Sequence, residues 1–208
     1  MYIVWWLLPG RADVLVPFVA LTAAEGLGMF TNVGVWAALS KSSFVVSPQR
    51  RSVLTIDVLI PTFGEPLSVL RETVAAAVAM DLPHRTIVLD DADRAEVERL
   101  AGDLGAEYIA RPDHENAKAG NLNYALGVTS GDLVLVLDVD HVAQQDFLAR
   151  VIGYFEDANV AIVQTPQAYR NVSESPVARL AHDQQMIFYG PVLRGRNGSN
   201  SVFACGTN

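Results

Sequence analysis

Asp138 and Asp140 are the residues best suited by type and spacing to do chemistry. They close the run Leu133-Val134-Leu135-Val136-Leu137-Asp138-Val139-Asp140, in which a buried-type strand leads directly into two carboxylates two positions apart. If strand geometry persists past Leu137, period-two alternation puts both acids on the same side. Clustered carboxylates repel one another, and a divalent cation is the common reason for holding them together. Hard oxygens suit Mg²⁺ or Mn²⁺, and a phosphate-bearing ligand can complete the coordination shell. The same spacing also suits one Asp as a helix cap with the other solvated.

The elements around the pair predict where it sits. From Ile56 onward short apolar runs alternate with helical stretches: strands over Ile56–Pro61, Thr86–Leu89, Ala106–Ala110, Asp132–Leu137 and Ala161–Gln164. Helices are predicted over Pro66–Met80, Asp93–Leu104, Ala117–Val128 and Gln145–Glu156, with a further one near Val177–Phe188 ahead of a Gly-rich stretch. Strands separated by helices of this length indicate an α/β fold, a mostly parallel sheet covered on both faces.

In such a sheet, ligands bind beyond the carboxyl ends of the strands. Strand one ends at Pro61-Thr62-Phe63-Gly64-Glu65, strand two at Asp90-Asp91 and strand four at Asp138-Val139-Asp140, so five carboxylates reach one edge. Lys118 opens the helix before strand four and can reach the same crevice. Taken singly, Asp90 or Asp91 also suits a helix cap, Glu65 a solvated turn and Lys118 a surface lysine. A dinucleotide-binding domain is excluded, because the turn after strand one has a single glycine and an acid where a glycine-rich phosphate loop is needed. Glu65 would repel a phosphate lying on the following helix N-terminus.

Composition narrows the partners. The 208 residues are 50% apolar with a net charge of −8 and no dense Lys/Arg block, which argues against nucleic acid as a partner. The single Cys205 excludes an intrachain disulfide and a cysteine-based zinc site, and fits a reducing compartment. On its own it reads as a small core residue.

Apolarity concentrates at the front. Val14–Leu39 carries one ionisable residue, Glu25. As a helix this stretch would extend about 39 Å, more than a hydrocarbon core of about 30 Å. The lone acid costs about 2–3 kcal/mol on insertion scales, which the surrounding Leu, Val and Phe can offset. The alternative is a buried core helix. Trp5 and Trp6 suit a membrane interface. Lys41, Arg50 and Arg51 follow the span, whereas Arg11 before it is balanced by Asp13, so the remainder of the chain is expected in the cytosol. The expected organisation is a membrane segment over 1–40, a linker over 41–55 and an α/β domain over 56–208.

Read together, these residues resemble a processive family 2 glycosyltransferase of the cellulose synthase-like group. Asp57–Pro66 resembles that family's opening DVLIPTYNEP, and Asp90-Asp91 its first acidic site. Asn116–Asn123 is similar to HAKAGNLN, and Asp138–His141 to DxDH. Val163–Gln167 resembles VQTPQ, and Phe203–Thr207 resembles FFCGT. The resemblance implies a GT-A fold that takes a sugar, commonly glucose, from a UDP-sugar and adds it to a growing β-glycan acceptor. It implies a nucleotide-sugar pocket of Thr62, Phe63, Glu65, Asp90, Asp91, Lys118 and Asp138. It also implies Mg²⁺ or Mn²⁺ on Asp138 and Asp140, and an acceptor side at Cys205 and Gly206. The partners it implies are the lipid bilayer and other synthase-complex subunits, and the place is the plasma (inner) membrane with the transferase domain cytoplasmic. Phe63, Gly64 and Asn116 depart from the family's usual Tyr, Asn and His.

The family's general base lies in a TED motif, followed by QxxRW, and both are expected beyond Asn208. The chain is therefore expected to be a truncated domain that binds donor without polymerising. Two other readings stand beside this one. Asp138–Val142 also fits the nucleophile loop of a haloacid dehalogenase-type phosphohydrolase, with Asp138 as nucleophile. A non-catalytic, membrane-bound nucleotide-sugar-binding fragment is the other.

Overall fold

The computed structural model describes residues 15–42 and 53–207; Trp5, Trp6 and most of the expected linker lie outside the described residues. The chain divides into two compact units, residues 1–44 with 166–202 and residues 45–165 with 203–208. The first is built on helix α1, Leu15–Ser40. Its stretch Leu15–Ala37 is long and apolar enough to cross a membrane, and none of its most apolar window is buried, which is not the behaviour of a core helix. Polar side chains on α1 turn back onto its own carbonyls: Thr22 Oγ1 donates to Phe18 O, and Thr31 Oγ1 and Asn32 Nδ2 both donate to Gly28 O. That pattern suits a medium with no water to satisfy them.

The second unit is a four-stranded parallel sheet. Strands β1 (Ile56–Thr62), β2 (Arg85–Asp90), β3 (Glu107–Ile109) and β4 (Leu133–Val136) lie in the order β3-β2-β1-β4. Helices α2 (Leu67–Val78), α3 (Ala95–Leu104), α4 (Ala117–Val128) and the short α5 (Phe147–Val151) connect and flank it. Alternation along β1 sends Val58 and Ile60 into a cluster with Leu70 and Val74 of α2, Val97 and Leu100 of α3 and Leu148 of α5. Leu59 goes the other way, with Ile87, Leu89 and Ala125 of α4. With apolar partners on both faces, every residue of β1 is buried, which explains the apolar run Val58–Pro61. Asp57 is the buried charge in that strand. At 1% exposure it accepts from Ser130 N and Gly131 N at 3.2 and 2.8 Å, tying β1 to the turn that feeds β4.

Two expectations are corrected. Ala161–Gln164 forms no strand. It and β4 line a common cleft of about 440 Å³ without a ladder between them, and the Gln164 side-chain amide bonds the Phe203–Thr207 segment instead. The helix expected over Gln145–Glu156 is α-helical only in α5 and tightens into a 3₁₀ turn over Ile152–Glu156. The β-branched pair Val151-Ile152 followed by Gly153 weakens the α conformation there. The first unit is completed by α6 (Pro176–Ile187), capped by Ser175 Oγ accepting from Ala178 N, then a π turn over Phe188–Val192 around Pro191, and α7 (Leu193–Asn197). Helix thus continues into the expected Gly-rich stretch as far as Asn197.

Candidate active site

The carboxyl ends of β1, β2 and β4 lie side by side, and the groups expected at that edge are there. The two acidic pairs are held very differently. At the end of β2, Asp90 has a fully buried carboxylate. It accepts from Arg94 N at 2.7 Å and Arg94 Nη2 at 3.0 Å, with Tyr108 Oη at 3.4 Å. Burial, with the Asp90 charge second, pushes the Tyr108 hydroxyl well above its ordinary pKa. Arg94 also donates to Thr62 Oγ1 at 2.9 Å and to Glu65 O at 3.1 Å, so one guanidinium joins the ends of β1 and β2.

Glu65 is neither repelled nor free. Its Oε2 accepts from Thr62 Oγ1 at 2.7 Å, Phe63 N at 2.8 Å and Gly64 N at 3.2 Å. Burial raises its pKa, but these hydrogen bonds, led by Phe63 N, outweigh that and hold the carboxyl below its usual value. Phe63 itself is 64% exposed at the mouth of the turn.

Asp91 receives a two-pronged bond from Arg111, Nε at 2.5 Å and Nη2 at 2.9 Å, with His114 Nδ1 at 3.3 Å. Chiefly through the Arg111 bond, its carboxyl is held below the ordinary range despite burial. Arg111 also donates to Glu115 O at 2.6 Å and Ala117 O at 3.2 Å, folding the loop that launches α4. That launch is tight. Asn116 and Ala117 both have positive φ, 59° and 45°, a conformation that costs a non-glycine residue about 1–2 kcal/mol. A Cβ on Gly120 would overlap Glu115 O and the Arg111 guanidinium, so glycine is required there. Asn121 then pins α4 to β2 by donating to Leu89 O at 3.0 Å.

The loop delivers Lys118. Its Nζ is hydrogen-bonded to Asp138 Oδ1 and donates to Gly206 O at 2.9 Å. Asp138 and Asp140 do converge, but not by strand alternation: β4 stops at Val136, and a turn closed by His141 N donating to Asp138 O carries the acids. Thr73 Oγ1 holds the turn's centre by donating to Val139 O at 2.6 Å. One ligand atom from each of Asp138, Asp140 and His141 lies within 4.8 Å of the others, a group able to hold a metal ion. Thr207 supports it: Asp138 N donates to Thr207 Oγ1 at 3.1 Å, and that hydroxyl lies 3.3 Å from Val136 O and 3.2 Å from His141 Nδ1.

The Phe203–Thr207 segment is docked by Gln164, whose Oε1 accepts from Cys205 N at 2.8 Å and whose Nε2 donates to Thr207 O at 3.0 Å. Gly206 turns at φ +85°, the left-handed region that favours glycine, and so offers its carbonyl to Lys118. Cys205 is half-buried.

Sequence reasoning missed Arg94, Arg111, Gln164, the supporting role of Thr207 and the place of His141 in the group able to hold a metal. Arg94 stands four residues after Asp90, a spacing that could have flagged it. Arg111 lies twenty positions from Asp91, and no local pattern joins them.

A parallel sheet flanked on both faces, with acids, a lysine and an imidazole gathered at its carboxyl edge, defines a GT-A-type domain. The family model for glycosyl transferase family 2 matches residues 57–208, and the chain belongs to that family. Within it the chain is cellulose synthase-like. It is 40% identical over 164 residues to the cellulose synthase 1 catalytic subunit (UDP-forming) of Komagataeibacter xylinus, covering 74% of this chain and 22% of that protein. It is 37% identical over 179 residues to the cellulose synthase catalytic subunit of Xanthomonas axonopodis pv. citri, covering 81% and 24%. The chain thus spans about a quarter or less of the relatives it matches. A mannosyltransferase from Pyrobaculum calidifontis, solved in complex with GDP-Man and Mn²⁺, superposes with a TM-score of 0.56 at 26% identity, over 74% of this chain and 48% of that one. These findings decide against the phosphohydrolase reading of Asp138–Val142.

Proposed function

We propose that this chain carries the donor-binding machinery of a membrane-anchored, UDP-sugar-dependent glycosyltransferase that extends a β-glycan, with glucose as the transferred sugar. The observation that carries the reading is the convergence of Lys118, Asp138, Asp140 and His141 beside the crevice at the carboxyl edge of the sheet. Asp138 and Asp140, with His141, would hold Mg²⁺ or Mn²⁺, an oxygen-rich set with one imidazole that suits either ion. The bound cation would neutralise charge on the diphosphate as its bond to the sugar breaks.

The protein's own groups do the positioning. Thr62, Phe63 and Glu65, in the turn after β1, are proposed to line the nucleoside. Asp90 is proposed to brace that turn through Arg94, and Asp91 the loop that launches α4 through Arg111. Lys118, in the first turn of α4, adds its charge to the positive helix end, a favourable place for phosphate. Cys205 and Gly206, docked by Gln164, are proposed to face the acceptor. The helix α1 is proposed to cross the plasma (inner) membrane with the sheet unit in the cytoplasm, where UDP-sugars are available. Support for the donor comes from relatives named UDP-forming synthases and from a structural neighbour solved with a nucleotide sugar and Mn²⁺.

Calorimetric titration with UDP, with and without Mg²⁺, on the wild type and Asp140→Ala tests the reading. Expected is UDP binding that needs the metal and is lost in Asp140→Ala. Metal-independent binding unaffected by that substitution overturns it.

A further inference from the structure

Lys118 answers the charge of one member of the candidate metal group, Asp138. Its ammonium lies on Asp138 Oδ1 and is steadied by Gly206 O, while Asp140 and His141 complete the same group. The ion pair is open to solvent, with Lys118 and Asp138 exposed by 41% and 35%. This differs from Arg94 and Arg111 on Asp90 and Asp91. A guanidinium grips a carboxylate with a planar fork, whereas an ammonium is a point charge on a flexible four-carbon stem that can change partners at little cost.

We infer that Lys118 is a charge placeholder: in the ligand-free chain it occupies the cation's side of Asp138, and it moves to the diphosphate when metal and nucleotide arrive together. The inference rests on the metal–nucleotide reading proposed above. A metal ion arriving alone must displace Lys118 from Asp138 and leave the ammonium without an anion. A metal arriving with a diphosphate supplies that anion in the same step, and the phosphate oxygens add ligands to the metal. Lys118 therefore weakens binding of bare metal and couples metal to nucleotide. By linkage, the factor by which UDP tightens the metal equals the factor by which the metal tightens UDP. The device keeps the site from filling with a cation when no donor is present.

The test is Mn²⁺ titration of the full detergent-solubilised chain, read from the electron paramagnetic resonance signal of free Mn²⁺, with and without UDP. Wild type is compared with Lys118→Met and Lys118→Gln, with circular dichroism to establish that each variant folds. Both variants are expected to bind Mn²⁺ alone roughly fivefold tighter, the scale of a solvent-exposed ion pair, and to lose most of the tightening that UDP gives the wild type. A lysine that merely braces the Gly206 turn predicts equal or weaker binding of bare Mn²⁺ in the variants, and that result overturns the placeholder role. Wild type that takes up no Mn²⁺ even with UDP present overturns the underlying metal–nucleotide reading as well, so the two failures are distinct.

Discussion

Two aspartate pairs sit at the same edge of the same sheet, and they differ in what answers their charge. Asp90 and Asp91 each own an arginine, with all four side chains 17% exposed or less. Asp138 and Asp140 share a lysine and a histidine at a solvent-open turn, with Asp140 72% exposed. A buried acid bound by a guanidinium fork is committed, because every strong donor it can use is already in place. An exposed acid beside an ammonium retains lone pairs and a replaceable partner. The first pair is tied into the fold by its arginines; the second keeps replaceable partners, as the proposed metal site requires. Residue type and sheet edge are the same for both, but Asp90 ends β2 whereas Asp138 and Asp140 ride on a turn beyond β4, and their neighbours differ accordingly.

The largest expected effect tests that division directly. Arg94→Met leaves Asp90 buried without its main partner and should destabilise the chain by about 3 kcal/mol, read by urea unfolding in detergent. Lys118→Met, which also removes a cation from an aspartate, should cost less than about 1 kcal/mol because its pair is solvent-exposed. Equal costs for the two would erase the distinction between the pairs. Arg94→Lys should recover little, since an ammonium cannot serve Asp90, Thr62 and the Glu65 carbonyl together.

Acid should find Asp91. The native Asp91 carboxyl is held below its ordinary value by Arg111, so the unfolded chain takes up the proton at a higher pH than the native one. Its contribution is complete above the unfolded pKa of about 3.9 and is lost as pH falls through the lower native value. In the range between those two values, unfolding free energy should rise with pH more steeply in the wild type than in Asp91→Asn, by up to about one proton equivalent. A variant with the wild-type slope would mean that Arg111 does not set the Asp91 carboxyl.

How far the sequence reaches follows the same line. The strands β1, β2 and β4 and the helix α4 were legible because their signals are local: apolar runs, helical periodicity and turn residues. So was the gathering of acids at one edge, which needs only the polarity of a parallel sheet. What was not legible depends on contacts between distant positions. The hold of Arg111 on Asp91 needs the β3–α4 loop to fold over β2. The side-chain dock of Gln164 on Cys205 and Thr207, forty positions on, replaces the strand ladder that the apolarity of Ala161–Gln164 suggested. The turn that unites Asp138 with Asp140 reached the expected result by another route, since His141 N closes on Asp138 O where an extended strand was anticipated.

The smallest effect worth measuring concerns Thr207, because it tests the metal-ligating role proposed for His141. A hydroxyl has one proton to give and can accept from more than one donor. Thr207 Oγ1 gives its proton to Val136 O and accepts from Asp138 N. In that arrangement its remaining contact, His141 Nδ1 at 3.2 Å, pairs with an imidazole N–H. The tautomer with the proton on Nδ1 leaves the Nε2 lone pair, 3.7 Å from Asp140 Oδ1, open to a metal. Outer-sphere partners of this kind are worth about tenfold or more in metal affinity, so Thr207→Val should weaken Mn²⁺ binding in the presence of UDP by about that factor. Thr207→Ser, which keeps the hydroxyl, should restore most of it. If valine and serine behave alike, the imidazole is oriented by something other than this hydroxyl, and the second aspartate pair is less finely built than the first.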